Sequence, residues 1–299
     1  MRAAHDLVGA VSDTASTPQP ASGYWSSVWR RLRRDKLAMF AAAVIMALLL
    51  MALLGALITP QDPYQASMML RLKPLGTVNH VLGTDELGRD MLSRLMAGAR
   101  LSLFMGITPV VLAFVLGSVL GITAGYAGGW THSVIMRSID VFYAFPSVLL
   151  AIALSGALGA GLLNSLISLT VVFIPPIARV AESVTTQIRT RDFVEAARAS
   201  GAHAWTIVRV HVLGNVMGPI FVYATSLIAV AMILASGLSF LGLGVKPPEP
   251  EWGLMLNTLR TAIYVQPWVA ALPGAMIFIT SIAFNVLSDG LRQAMDIQR

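Results

Sequence analysis

Charge is absent from five long stretches of the chain: Leu37–Ile58, Leu101–Met136, Val141–Ala178, Val210–Val245 and Thr261–Ser288. A membrane helix needs about 20 apolar residues, because a rise of about 1.5 Å per residue must cross about 30 Å of hydrocarbon. Each run therefore predicts at least one span. The third is 38 residues long, too long for a single crossing. Its middle carries Gly156, Gly159 and Gly161, and a glycine-rich turn between two helices is the simplest break. The pattern predicts an all-α, polytopic membrane protein with six spans, near 37–58, 101–127, 139–157, 161–180, 218–240 and 268–288.

Composition agrees. Of the 299 residues, 56% are apolar and 12% charged, and the mean hydropathy is +0.72. Soluble domains carry about 25% charged residues, so a soluble enzyme is excluded. Cysteine is absent, which removes disulfides, thiolate metal sites and Cys nucleophiles. Six spans place both termini on one side. With the N-terminus inside, segments 1–36, 128–138, 181–217 and 289–299 are cytoplasmic and hold most of the 21 Lys and Arg residues. The cluster Arg30-Arg31-Leu32-Arg33-Arg34-Asp35-Lys36, directly before the first span, orients it N-in. That first run is longer than a signal-peptide core, so an uncleaved span is expected. Residues 1–22 are rich in Ala, Ser, Thr and Pro and are expected to be disordered, within a cytoplasmic tail of residues 1–36.

Ion-coupled transporters bury carboxylates or basic groups in their spans; the interiors of these spans carry none. Asp140 sits at a membrane edge, three residues after Arg137, a spacing that suits a local ion pair. Gly117, Gly121, Gly125 and Gly129 recur every four residues, which lines one helix face for close packing. Prolines at 109, 146, 175, 176 and 273 interrupt or bend their helices. No P-loop, H-E-x-x-H or G-x-S-x-G motif is present, and the five histidines are scattered, so neither catalysis nor a metal site is expected.

The cytoplasmic segment 181–217 is far longer than an ordinary connection. Within it Thr190 is a candidate N-cap, Asp192 suits the positive end of a helix, and Ala196, Ala197 and Ala199 favour helix. Gly201 fits the position just past the helix end, and a second helix is expected over about 203–213. Two readings stand at this point: an ordinary surface hairpin, or a small-residue face that another surface approaches closely.

Glu195-Ala196-Ala197, then three residues, then Gly201 and the apolar run to Leu213 resemble the EAA loop of ABC-importer permeases. Leu82-Gly-Thr-Asp-Glu-Leu-Gly-Arg-Asp-Met-Leu-Ser-Arg94, Phe145-Pro146, Phe240-Leu-Gly-Leu-Gly-Val245 with Pro247-Pro248 and Glu251-Trp252-Gly253, and Phe284-Asn285 with Asp289-Gly290-Leu291-Arg292 resemble the second permease of dipeptide and oligopeptide importers, in the family's order. The resemblance implies a type I ABC-importer permease fold over 37–299, with a core bundle near 98–289, an outer loop 59–100 and a coupling loop 181–217. It implies import of dipeptides or oligopeptides, with nickel and glutathione permeases as close alternatives. It assigns ATPase coupling to Glu195, Ala196, Ala197 and Gly201. It implies no cofactor in this chain, ATP and Mg being held by two ATPase subunits, and adds a homologous second permease and an extracytoplasmic binding protein as partners. The implied location is the bacterial inner membrane. The family's loop typically ends Ile-Leu-Pro-Asn; here it reads Val212-Leu213-Gly214-Asn215, which leaves the exit angle open.

In the outer loop, Thr84 is a candidate cap for an amphipathic helix with Leu87, Met91, Leu92, Leu95 and Met96 on one face. Asp90 and Arg94 stand at the i,i+4 spacing of an ion pair. Asp85, Glu86 and Asp90 read as solvated helix charges, and Trp252 as an interfacial residue. The rival from another class is an ion-gradient-driven secondary transporter, against which the uncharged spans and the small-residue hairpin both weigh.

Overall fold

The computed structural model describes residues 24–295, all helix, turn and loop; the expected disordered tail of residues 1–22 lies outside the described residues. A short helix α1 (Tyr24–Leu32) leads through a turn into α2 (Lys36–Ile58). Asp35 stops the one and starts the other: its Oδ1 accepts from the backbone N–H groups of Leu37 (2.9 Å) and Ala38 (3.1 Å), satisfying donors that a helix start leaves open. At 23 residues, α2 spans about 35 Å, enough to cross.

The outer segment 59–90 folds back on itself and ends at α3 (Met91–Ala127). The cap of α3 is Asp90, not Thr84. Asp90 Oδ2 accepts from Ser93 N–H (2.8 Å) and Ser93 Oγ (2.7 Å), and its Oδ1 lies 3.0 Å from His80 Nδ1. Thr84 is fully buried and uses its hydroxyl to accept from Lys73 N–H (2.9 Å) and to donate to the Leu70 carbonyl. The expected separate surface helix is thus the outer turn of one 37-residue helix. The Asp90–Arg94 pair does not form. Arg94 instead lies 3.2 Å from Asp85, which also holds Arg89 at 2.6 Å. Asp85 is therefore buried in a knot of arginines, not solvated.

The third crossing is broken. α4 (Gly129–Tyr143) and α5 (Ser147–Leu158) meet at an 88° bend, where one helix over 139–157 was expected. Pro146 has no N–H to donate and disfavours helix at Phe145 before it, so the break falls at residues 144–146. Five helices are long and apolar enough to cross, and the bent pair counted as one span makes six. The glycine-rich turn expected after it is present: Gly159 has φ +89° and α6 (Leu162–Arg189) starts behind Gly161.

α3 and α6 form the most extensive helix pair. A Cβ at Gly117 would meet the Ile174 carbonyl oxygen at 3.0 Å, at Gly121 the Ala178 oxygen at 2.3 Å, and at Gly125 the Glu182 oxygen at 2.7 Å. Three of the four stripe glycines therefore let the α6 backbone in; Gly129 faces open space. Asp140 pairs across to Arg179 of α6 at 2.5 Å, not with Arg137.

After α6 come α7 (Asp192–Ala199), α8 (Ala204–Ile207), a π turn (Val208–Val212), α9 (Leu213–Phe240), α10 (Trp252–Thr258) and α11 (Pro267–Met295). α8, the π turn and α9 run on as one helical rod, so Gly214 lies inside a helix and does not end one. α10 packs against α9, α11 and α3. Trp252 is fully buried, not interfacial: its Nε1 donates to the Leu95 carbonyl at 3.0 Å. The main core gathers apolar residues of α3, α6 and α9. A second cluster joins α2, α10 and α11 to the outer half of α3.

Candidate coupling site

α7 is short, and its ends explain where it sits. Asp192 and Glu195 lie in the first turn and Arg198 in the last, each with the sign the helix dipole favours. Thr190 is not the cap: its Oγ1 donates to the Gln187 carbonyl (3.1 Å) and closes α6. Arg191 takes the cap position without a side-chain bond. At the other end Gly201 N–H donates to Arg198 O (3.0 Å) and Ala202 N–H to Ala197 O (3.1 Å). These are the two bonds of a Schellman motif, and they require the left-handed φ of +80° that Gly201 supplies. His203 then caps α8, accepting from Trp205 N–H at 3.3 Å.

The π turn sets which side chains face the bundle. Ile207, Val212, Val216 and Ile220 are buried, at spacings of five, four and four. A regular helix would turn His211 inward after Ile207. The wider turn passes over it, so Val212 enters the core while Val210 stays exposed. Val194 of α7 joins the same core. The hairpin is thus anchored by Val194, Ile207 and Val212, with its remaining surface free to meet something else.

The four sequence-predicted residues lie within the single stretch 195–201 but differ in burial. Glu195, Ala196 and Gly201 are exposed, while Ala197 is half-buried against the bundle. Ala197 packs against the core and Ala196 does not. Three large apolar residues that the spacing argument did not single out are also exposed in this segment: Phe193 is 43% exposed, Trp205 67% and Val210 61%. Phe193 leans on His211 with ring centroids 6.2 Å apart. The signal was available in the sequence, since two aromatic rings stand in an otherwise polar, alanine-rich hairpin. Large apolar groups grouped on an exposed face mark an interaction surface.

Polar contacts connect the hairpin's supporting helix to its neighbours. Arg189 Nη1 donates to the Tyr126 carbonyl at the end of α3 (3.2 Å). Glu182 lies 3.1 Å from His132 Nε2 of α4 and accepts from Thr186 Oγ1 at 2.9 Å. Arg179 holds Asp140 and stacks over the Tyr143 ring at 4.7 Å. The inner half of α6 is thereby tied to α3 and α4 at three levels.

A cavity of about 1870 Å³ opens between α2, α3 and the segments 59–64 and 245–250, lined mainly by apolar side chains together with Asp62, Arg100, Lys246 and Glu249. Beside it, Tyr64 donates to Glu249 Oε2 (3.0 Å), and its pKa is raised by burial and by that neighbour.

Residues 117–297 match the family described as binding-protein-dependent transport system inner membrane component, and residues 23–74 match the N-terminal TM domain of oligopeptide transport permease C. The glutathione transport system permease protein GsiD of Pectobacterium atrosepticum is 40% identical over 272 residues, covering 91% of this chain and 90% of that one. Its namesake in Escherichia coli O6:K15:H31 is 41% identical over the same share of each chain. Among solved structures, an inward-facing conformation of the MetNI methionine ABC transporter superposes with a TM-score of 0.57 at 20% identity, covering 69% of this chain and 98% of that one. This last likeness is one of fold.

Proposed function

The chain belongs to the family of inner-membrane components of binding-protein-dependent transport systems, and from that premise we propose that it is the path-forming permease of an importer for short peptides, glutathione among them. The relatives' names favour a small peptide substrate over the nickel alternative. The observation that carries the mechanism is the anchored hairpin with an exposed Ala196, Phe193 and Trp205 at the end of α6. In this reading an ATPase subunit seats against that face, with Glu195 at its edge and Gly201 fixing the turn. Closure of two ATPases displaces α7, and the ties from α6 to α3 and α4 carry the motion to the path. Such a rigid-body switch between two packings is a common form of transport coupling. ATP and Mg are bound by those partners. A homologous second permease completes the path, and the binding protein delivers substrate to the outer face.

We place both termini in the cytoplasm, on the strength of the arginine cluster before α2. The test is uptake into proteoliposomes holding the permease pair, the ATPases and the binding protein. Glutathione and a dipeptide serve as the two labelled substrates. The proposal expects uptake only with ATP and all partners, and loss of uptake in Gly201→Trp with membrane insertion intact.

A further inference from the structure

The helix before the first span carries a cation pattern that orientation alone does not explain. Val28 and Leu32 of α1 are buried against Ala294, Leu291 and Met295 of α11, which fixes the rotation of α1. Arg30, Arg31 and Arg34 are exposed and line, with Ser27, a concavity of about 220 Å³. Arg30 and Arg31 stand three and four residues after Ser27 on α1, and Arg34 reaches the same concavity from the turn that follows Leu32. Among the described residues no carboxylate pairs with any of the three. The nearest acid in sequence, Asp35, spends its Oδ1 on capping α2. Arg33 points elsewhere and stacks over the Trp29 ring at 4.7 Å.

Like charges lining one small concavity repel, and the positive-inside rule rewards their number without asking that they share one. An anion between them turns repulsion into attraction, and guanidinium forks suit phosphate oxygens. The location selects the source. Arg34 of the concavity stands two residues before Lys36, where α2 begins, and exposed Trp29 of α1 is a residue type enriched at the headgroup level. We propose that Arg30, Arg31 and Arg34 form a cradle for the phosphate of an anionic phospholipid. The inner leaflet is assigned by the orientation proposed above; the cradle itself stands on the geometry of α1 and the turn after it.

The experiment is native mass spectrometry of the full-length chain released from nanodiscs of equal phosphatidylglycerol and phosphatidylcholine, read as the ratio of the two lipids retained. The wild type is expected to retain phosphatidylglycerol preferentially. Each Arg→Gln change among the three should cut the preference about fivefold, and the triple variant should abolish it. Arg33→Gln should leave it intact, and the triple Arg→Lys variant, which keeps the charge and the topology signal, should retain part of it. Equal retention of both lipids by the wild type would overturn the proposal. So would a loss with Arg33→Gln as large as with Arg31→Gln, since that reports total charge and not a cradle. Displacement of the lipid by millimolar inorganic phosphate would overturn it in favour of a free-anion site. A protease-protection assay of the N-terminal tail reports orientation separately, so a chain with its N-terminus outside fails the functional reading without removing the lipid preference.

Discussion

At Gly121 a methyl group would sit 2.3 Å from the Ala178 carbonyl oxygen and 2.6 Å from the Ala181 Cβ. Neither neighbour is the loose end of a flexible side chain, so α3 and α6 must part. Gly121→Ala is expected to destabilise by about 1–3 kcal/mol, measured as thermal unfolding in detergent. Gly156→Ala, where nothing lies within 4 Å, should be neutral or stabilising by up to about 1 kcal/mol. A second residue-scale prediction concerns Glu251. It caps α10 through Gly253 N–H and Leu254 N–H (both 2.8 Å) and is buried. Burial raises its pKa, against the opposing effect of those bonds and of Ser239 and Ser102. A carboxyl with a raised pKa in the folded state holds its proton longer folded than unfolded. Its contribution is complete below the ordinary carboxylate range and is lost as pH rises through the raised value. Melting temperature should therefore fall with pH above about 4.5, and Glu251→Gln should flatten that slope while lowering stability through a mismatched cap. The glycine stripe was legible because its period is local. The partners of Asp90, Asp140 and Trp252 were not, because His80, Arg179 and Leu95 come from other turns and helices that spacing along one element cannot reveal.

At the scale of elements, the spans were legible from missing charge because water-free hydrocarbon leaves a helix few alternatives. The break between α4 and α5 was visible as Pro146, yet proline inside a span bends some helices and breaks others. Pro109, Pro175, Pro176 and Pro273 all sit within continuous helices here. The π turn at Val208–Val212 had no sequence signature. It is set by tertiary packing, which needs both Ile207 and Val212 in the core. The hairpin gives a prediction of its own. Gly201 has open space around its α-carbon and a φ of +80°. A side chain there meets strain but no collision, so Gly201→Ala should cost only about 1–3 kcal/mol. A transport defect in Gly201→Trp that exceeds the matching loss of folded protein would then report a lost docking contact. Trp205→Ala, exposed on the same face, should weaken pull-down of the ATPase while leaving the melting temperature of the isolated chain nearly unchanged.

On the scale of the whole molecule, the scarcity of charge and its placement argue together. Five long runs of the sequence carry no charge, while the hairpin after α6 presents exposed aromatic rings on a base anchored in the core. Fold and family were legible from the motifs at 82–94, 195–213 and 240–253. The substrate was not, because a path fed by a separate binding protein need not carry the recognition itself. In the proposed mechanism, force from outside the chain enters it through the ties Arg179–Asp140, His132–Glu182 and Arg189–Tyr126. The most direct test of that claim is ATP-driven uptake of glutathione or a dipeptide by proteoliposomes of the full complex, compared with Ala196→Arg in the hairpin and with the chain alone under a proton or sodium gradient. The account predicts uptake by the full complex, none when Ala196→Arg is incorporated at equal folded yield, and none by the chain alone. Uptake by the chain alone under an ion gradient, or full activity with the Ala196→Arg chain, would contradict it.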